Sequence, residues 1–142
     1  MTNAKPQIHA AKIVVLHQDR LVLVKQTRRG RSHPTFELPG GRMHTYESIE
    51  EAACRELREE TGLVTDKLTE LGTFSIPTSP ITVTLFFTNA IQEAGSQQLD
   101  PDEDIEVVYV ETAEAFRNIG SGIWPDTRLG FGLLLARARG LL

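Results

Sequence analysis

One segment constrains this chain more than any other: "SIEEAACRELREETGL", Ser48 to Leu63. Ser48 and Glu51 have the spacing of a capping box, in which each side chain satisfies the other's free backbone N–H. Thr45 is a competing start one turn earlier. Gly62 supplies a natural left-handed stop. The pattern predicts a helix near Ile49 to Thr61. At about 100° per residue, Ile49, Ala52, Ala53 and Leu57 form an apolar stripe that must pack inward. The same helical series also selects Glu56 and Glu60. Whatever covers this helix must therefore also deal with its carboxylates.

Glu56, Glu59 and Glu60 fall within five positions. Glu59 has Arg55 one turn back, and Arg55 also sees Glu51. Neither Glu56 nor Glu60 has a Lys or Arg three or four residues away. A like-charge pair at that spacing costs about 0.2–0.5 kcal/mol when exposed. Partial burial raises the cost to several kcal/mol unless the charges are paired. Protonation, a distant cation or a bound divalent ion would relieve it. Oxygen-only ligands suit Mg²⁺ or Mn²⁺ and not zinc. A solvated acidic face is the plain alternative, and spacing alone leaves both open.

The rest of the chain supplies the context. "IHAAKIVVL" and "LVLVKQ" are strand-like and form a hairpin through "HQDR". "TRRGRSHP" is a polar loop, and "TFEL" is a short strand stopped by Pro39-Gly40-Gly41. Beyond the helix, "LTELGTFSI" and "ITVTLFFTNAI" are two further strands. "QEAGSQQLDPDED" is an acidic loop and "IEVVYVE" another strand. "TAEAFRNI" is a short helix capped by Thr112. "TRLGFGLLLARARGLL" is a last helix weakened by Gly130 and Gly132. Strands, helix, strands, helix imply an α/β fold with a mixed sheet and helices on its faces. At 142 residues this is one domain, 1–142.

Net charge is −4, which offers no sequence-independent grip on nucleic acid. Cys54 is the only cysteine, which rules out a disulfide framework and a multi-cysteine zinc site. No apolar run reaches the roughly 18 residues of a spanning helix, and no leader pattern is evident, so a cytoplasmic location without membrane attachment is expected.

Gly41, Glu47, Arg55, Glu56, Leu57, Glu59, Glu60, Gly62 and Leu63 fit the form G-x5-E-x7-R-E-(apolar)-x-E-E-x-G-(apolar). This resembles the Nudix box, the signature of the Nudix hydrolases. The resemblance implies the family's α/β/α sandwich, with a loop–helix–loop that binds Mg²⁺ (Mn²⁺ as substitute) and hydrolyses a nucleoside diphosphate linked to another group. On that pattern Glu56, Glu59 and Glu60 are metal ligands, joined by the carbonyl of Gly40. Arg55 orients the glutamates and Glu47 supports the loop. The general base differs between subfamilies. "DEDIEVVYV" is similar to the segment that brings a further carboxylate to the metals in ADP-ribose-type members. Glu103 is the leading candidate there, ahead of Glu106 and Asp102.

"VKQTRRG…TFELPGGR" and "IEVVYVETAEAF" resemble the ADP-sugar pyrophosphatase branch. That points to ADP-ribose giving AMP and ribose 5-phosphate. A MutT-like triphosphate hydrolase and a non-hydrolytic nucleotide sensor are the alternatives. Arg28, Arg29 and Arg42 are candidate phosphate contacts through guanidinium forks, with Glu37 beside them in the same segment. Trp124, the only tryptophan, either anchors its loop on the core or stacks on a base, and the anchor role is the more common. The resemblance is compatible with a homodimer.

Overall fold

The computed structural model describes residues 7–28 and 30–142. Strand β1 (Ile8–His17) and strand β2 (Arg20–Gln26) form the expected hairpin. Its two turn residues, Gln18 and Asp19, both have positive φ, 54° and 61°, the geometry that matches the twist of the flanking strands. Strand β3 (Thr35–Glu37) pairs with β2.

The chain does not stop at the glycines. As expected, β3 stops before Pro39; a further strand that the sequence reading did not anticipate, β4 (Gly40–Arg42), then pairs antiparallel with β1. Gly40 sits at φ +149°, and a Cβ there would lie 1.9 Å from the Ala11 carbonyl oxygen. Glycine is what lets this segment lie directly against β1.

Helix α1 (Ile49–Thr61) has the predicted bounds. Ser48 caps it in a complete capping box, so Thr45 does not start it. Gly62 ends it at φ 77°. After it come β5 (Leu63–Val64), β6 (Thr69–Ser75) and β7 (Ile81–Thr88). The segment read as an acidic loop contains a two-residue strand, β8 (Glu93–Ala94), which pairs with β5. Both strands of that pair are too short to carry a periodic signal. Strand β9 (Ile105–Val110) follows.

Helix α2 (Thr112–Gly120) begins one residue earlier than expected. Thr112 is its first helical residue, and Glu111 stands at the cap without a side-chain hydrogen bond. Helix α3 (Thr127–Ala138) is capped by Asp126, whose carboxylate accepts from the Leu129 N–H.

The main sheet runs β3-β2-β1-β7-β6, with β4 also on β1 and β9 also on β2. It is mixed, because β1 and β7 are parallel while the other pairs are antiparallel. β1 explains the layering. Ala11, Ile13 and Val15 join Ala53 and Leu57 of α1 in one core cluster. Val14, facing the other way, joins Ala115 of α2 and Leu129, Leu133 and Ala136 of α3 in another. Alternating side chains bury both faces, which gives the α/β/α sandwich. Gly132 is a packing residue: a Cβ there would lie 2.9 Å from Leu38 Cδ1 and 3.1 Å from Val14 Cγ2. Among the described residues no helix is long and apolar enough to cross a membrane.

Gly40→Ala tests the strand crossing. The added methyl cannot coexist with the Ala11 carbonyl, so the variant should lose about 3 kcal/mol. Denaturant unfolding reads this directly, and a midpoint equal to wild type would refute the close approach.

Candidate active site

The carboxylates of α1 are organised by one guanidinium. Arg55 uses all five of its donors. Nε and Nη2 donate to Glu47 at 3.0 and 2.7 Å, and Nη2 also donates to the Arg42 carbonyl at 3.0 Å. Nη1 donates to Glu56 Oε1 at 3.0 Å and to Glu59 Oε2 at 3.2 Å. Glu56 thus gains a cation that helical spacing did not reveal, since adjacent residues on a helix do not normally face each other. The Arg55 hydrogen bonds, aided by the His44 N–H, hold the Glu47 carboxyl down at about 2. The hydrogen bond to Glu47 in turn raises Arg55 further above its ordinary range.

Glu60 is different. It is 5% exposed, and its Oε1 accepts the Gly40 N–H at 2.8 Å. Burial pushes its carboxyl up to about 7, although Lys12 and the Gly40 N–H pull the other way and Glu56 and Glu103 add to the rise. Burial also raises Glu56, opposed by Arg55. Gly41 brings the backbone close: a Cβ there would sit 2.5 Å from the Glu56 carboxyl carbon.

These groups open on a cavity of about 310 Å³. Its acidic lining is Glu56, Glu60 and Glu103. Its basic lining is Lys12, Arg28, Arg42 and Arg128. The structure therefore brings Glu103 to the helix glutamates. Its Oε1 accepts the Asp100 N–H at 2.9 Å. Asp102 lies in a neighbouring dent with Glu103 and Arg28. Glu106 turns to the other face of β9, 3.9 Å from Lys25.

Arg28 also reaches the cavity, held from behind by Glu37. Its Nη2 and Nε donate to Glu37 Oε1 and Oε2 at 2.8 and 3.2 Å. Glu37, expected beside the substrate, is 2% exposed and also accepts the Thr35 hydroxyl at 2.6 Å. Burial pushes its carboxyl up, but Arg28, Lys12 and Thr35 outweigh that and leave it below its ordinary value. Arg29 lies outside the described residues. The Arg42 carbonyl is taken by Arg55, while its side chain lines the cavity.

A second cleft of about 610 Å³ adjoins the first. Phe36 and Trp124 stack in its lining, with ring centres 4.6 Å apart and planes at 19°. Trp124 is 8% exposed and belongs to the α2–α3 core. It anchors its loop, as its residue type suggests, while one part of it lines the cleft.

Three residues escaped the sequence reading. Lys12 is buried on β1, with Nζ donating to the Leu38 carbonyl at 3.2 Å and lying 3.7 Å from Glu37. A lysine inside an otherwise apolar strand was the available signal. Gln97 donates through Nε2 to the carbonyls of Glu60 at 2.7 Å and Ile105 at 3.0 Å. It ties the end of α1 to the strand that follows the Glu103 loop. Arg128, on the first turn of α3, lines both clefts. No local pattern marks either of these two.

Among the described residues no three carboxylate, imidazole or thiolate groups converge on a single metal position. Glu56 and Glu59 are drawn to Arg55 and Glu60 to Gly40. The donor set nevertheless fits a hard divalent cation. Its ligands are oxygens, and one oxygen of each carboxylate carries no hydrogen bond from a described residue.

Comparison with known proteins agrees with this geometry. The NUDIX domain family matches residues 6–126. An ADP-ribose pyrophosphatase of Bacillus subtilis (strain 168) is 30% identical over 129 residues, 87% of this chain and 68% of that protein. An oxidized purine nucleoside triphosphate hydrolase of Danio rerio is 32% identical over 127 residues, 89% of this chain and 80% of that protein. A crystal structure of an ADP compounds hydrolase superposes with a TM-score of 0.81, covering 97% of this chain and 78% of that one at 22% identity. At that identity it shows the fold alone.

The Arg55–Glu47 pair predicts an acid response. Glu47 is depressed, so its contribution is fully present above its unfolded value of 4.5 and is lost as pH falls through about 2. Arg55→Gln should be less stable at neutral pH and should show a flatter loss of stability across that window. Urea titrations at several pH values check it. A parallel pH dependence in the two proteins would remove Arg55 as the cause.

Proposed function

We propose, since this chain belongs to the NUDIX domain family, that it is a divalent-metal-dependent pyrophosphohydrolase that cleaves a nucleoside diphosphate derivative, with an ADP-sugar such as ADP-ribose as the leading substrate class. The observation that carries this reading is the cavity that gathers Glu56, Glu60 and Glu103 together with Lys12, Arg28, Arg42 and Arg128. A diphosphate bound with a divalent ion needs both signs of charge in one place. The Bacillus subtilis relative named an ADP-ribose pyrophosphatase supports the substrate class.

Glu56, Glu59 and Glu60 would hold the ion, with the Gly40 carbonyl beside them. Magnesium is the proposed ion and manganese its substitute. When bound, it neutralises charge on the diphosphate and acidifies water at the phosphorus. The chain's own groups do the remainder. Arg28 and Arg42 meet phosphate oxygens, and Glu37 fixes the fork of Arg28. Arg55 holds Glu56 and Glu59 in place. Glu103 takes the proton from attacking water. The P–O–P bridge breaks, water oxygen joins one phosphorus, and two phosphate monoesters leave: AMP and ribose 5-phosphate from ADP-ribose. The Phe36–Trp124 cleft offers the nucleoside an apolar wall. A cytoplasmic setting and a homodimer belong to the same proposal, and nucleic acid has no part in it.

A second reading, triphosphate hydrolysis, rests on the Danio rerio relative, most of whose length this chain spans. A panel of ADP-ribose, other ADP-sugars and nucleoside triphosphates, assayed with Mg²⁺ and with EDTA, separates the two. The leading outcome is metal-dependent release of AMP from ADP-ribose. Turnover of triphosphates alone would select the second reading, and metal-independent or absent turnover would reject both.

Two further outcomes follow. Glu103→Gln should lower kcat by roughly 10²–10⁴ with little change in KM if it takes the proton. A wild-type kcat would remove Glu103 from that role. Because Glu60 is raised to about 7, the metal-free folded protein takes up a proton as pH falls below that value. Magnesium must displace this proton, so calorimetry should show affinity falling by about tenfold per pH unit below pH 7. Affinity independent of pH from 5 to 8 would contradict it. The same shift has a stability sign. Between 4.5 and about 7 the folded, metal-free protein holds a proton that the unfolded chain has lost, so stability falls as pH rises through that window.

A further inference from the structure

The two clefts share two lining residues, Arg28 and Arg128. We infer that Arg128 is a substrate-binding residue: with Arg28 it forms a two-guanidinium neck that grips the phosphate nearest the nucleoside as the ligand threads from the aromatic cleft into the acidic cavity. This rests on the diphosphate-hydrolase reading above and deepens it. It names a contact on the nucleoside side of the scissile bridge.

The two arginines are held differently. Arg28 is forked onto buried Glu37, which occupies Nε and Nη2. Its Nη1 donates no hydrogen bond to a described residue, so the group is aimed while one end stays available. Among the described residues Arg128 has one polar partner, with Nη2 to Asp126 Oδ2 at 3.4 Å, long for a hydrogen bond. The other Asp126 oxygen caps α3 through the Leu129 N–H at 3.0 Å. Arg128 therefore brings nearly a full set of donors to the neck, and its side chain is 31% exposed.

The neck also states what can pass through it. On one side lie the stacked rings of Phe36 and Trp124, and on the other lie Glu56, Glu60 and Glu103. A ligand that fills both spaces has an apolar, flat end, an end that tolerates a carboxylate–metal site, and an anionic middle. A nucleoside 5′-diphosphate derivative has that order. Guanidinium forks match phosphate oxygens in geometry as well as charge.

The test compares wild type, Arg128→Gln, Arg128→Lys and Asp126→Asn, each checked for an unchanged melting temperature. Calorimetry with ADP in EDTA reads the contact without turnover, and adenosine serves as the phosphate-free control. Arg128→Gln should weaken ADP roughly tenfold and leave adenosine unchanged. Arg128→Lys should recover part of the loss. Asp126→Asn keeps a competent helix cap and should bind ADP at least as well as wild type. In steady state on ADP-ribose, the loss in Arg128→Gln should fall mainly in KM. Wild-type ADP affinity in Arg128→Gln overturns the inference, while an active wild type leaves the hydrolase reading standing. Equal losses for ADP and adenosine, or a matching loss in Asp126→Asn, also overturn it, because Arg128 would then only shape the cleft. A wild type that neither binds ADP nor turns over any nucleotide overturns both readings together.

Discussion

The site depends on the fivefold engagement of Arg55. Without it, Glu47, Glu56 and Glu59 would lose the cation that their carboxylates share. A guanidinium is planar, always charged and carries a fixed fork of donors. Here each donor is used once, which fixes the rotamers of three carboxylates and the path of the loop at Arg42. An ammonium has three donors and no plane, so lysine could not span the same set. The loop before α1 is thereby locked to the helix by side chains, in addition to the capping box.

The two walls of the cavity are stabilised by different means. The acidic wall sits on a helix whose stripe of Ala52, Ala53 and Leu57 is fully buried. The basic wall is built on the sheet, where Glu37 lies between Arg28 and Lys12. The trio carries one net positive charge beside the cavity, with Lys12 and Glu37 buried and Arg28 half exposed. Removing Glu37 would leave the buried Lys12 ammonium without its carboxylate partner and Arg28 without its fork, so the carboxylate maintains the wall.

Much of this was legible from sequence because its causes are local. The bounds of α1 follow from Ser48, Glu51 and Gly62, and its inward face from helical periodicity. The strand character of β1 follows from its β-branched apolar residues, Ile13, Val14 and Val15. What was not legible depends on contacts between distant segments. Gln97 looks like any polar loop residue until its amide meets Glu60 and Ile105. β4 hides behind two glycines, because the reason for Gly40 is the Ala11 carbonyl some thirty residues earlier. Glu56 seemed to lack a cation because pairing rules for exposed helices do not anticipate an arginine folded back over its own neighbour. Arg128 carried no signal at all, since its placement comes from α3 packing across the sheet.

Glu60 shows why such a site is assembled at a cost. Its carboxylate is buried beside Glu56 and Glu103, with Lys12 and one backbone N–H as its compensation. A core built only for stability would place an apolar side chain there. Satisfying the carboxylate more fully, with a closer lysine or a second N–H, would lower its affinity for protons and would also occupy the oxygen a metal needs. On the metal-dependent reading proposed above, that partial compensation is what leaves room for the ion. Gly40 supplies enough hydrogen bonding to fix the carboxylate's direction, and Lys12 stays 3.7 Å from Glu37, engaged with the opposite wall. On the same metal-dependent reading, a cation held by Glu56 and Glu60 would complete an environment that the fold has left short of positive charge.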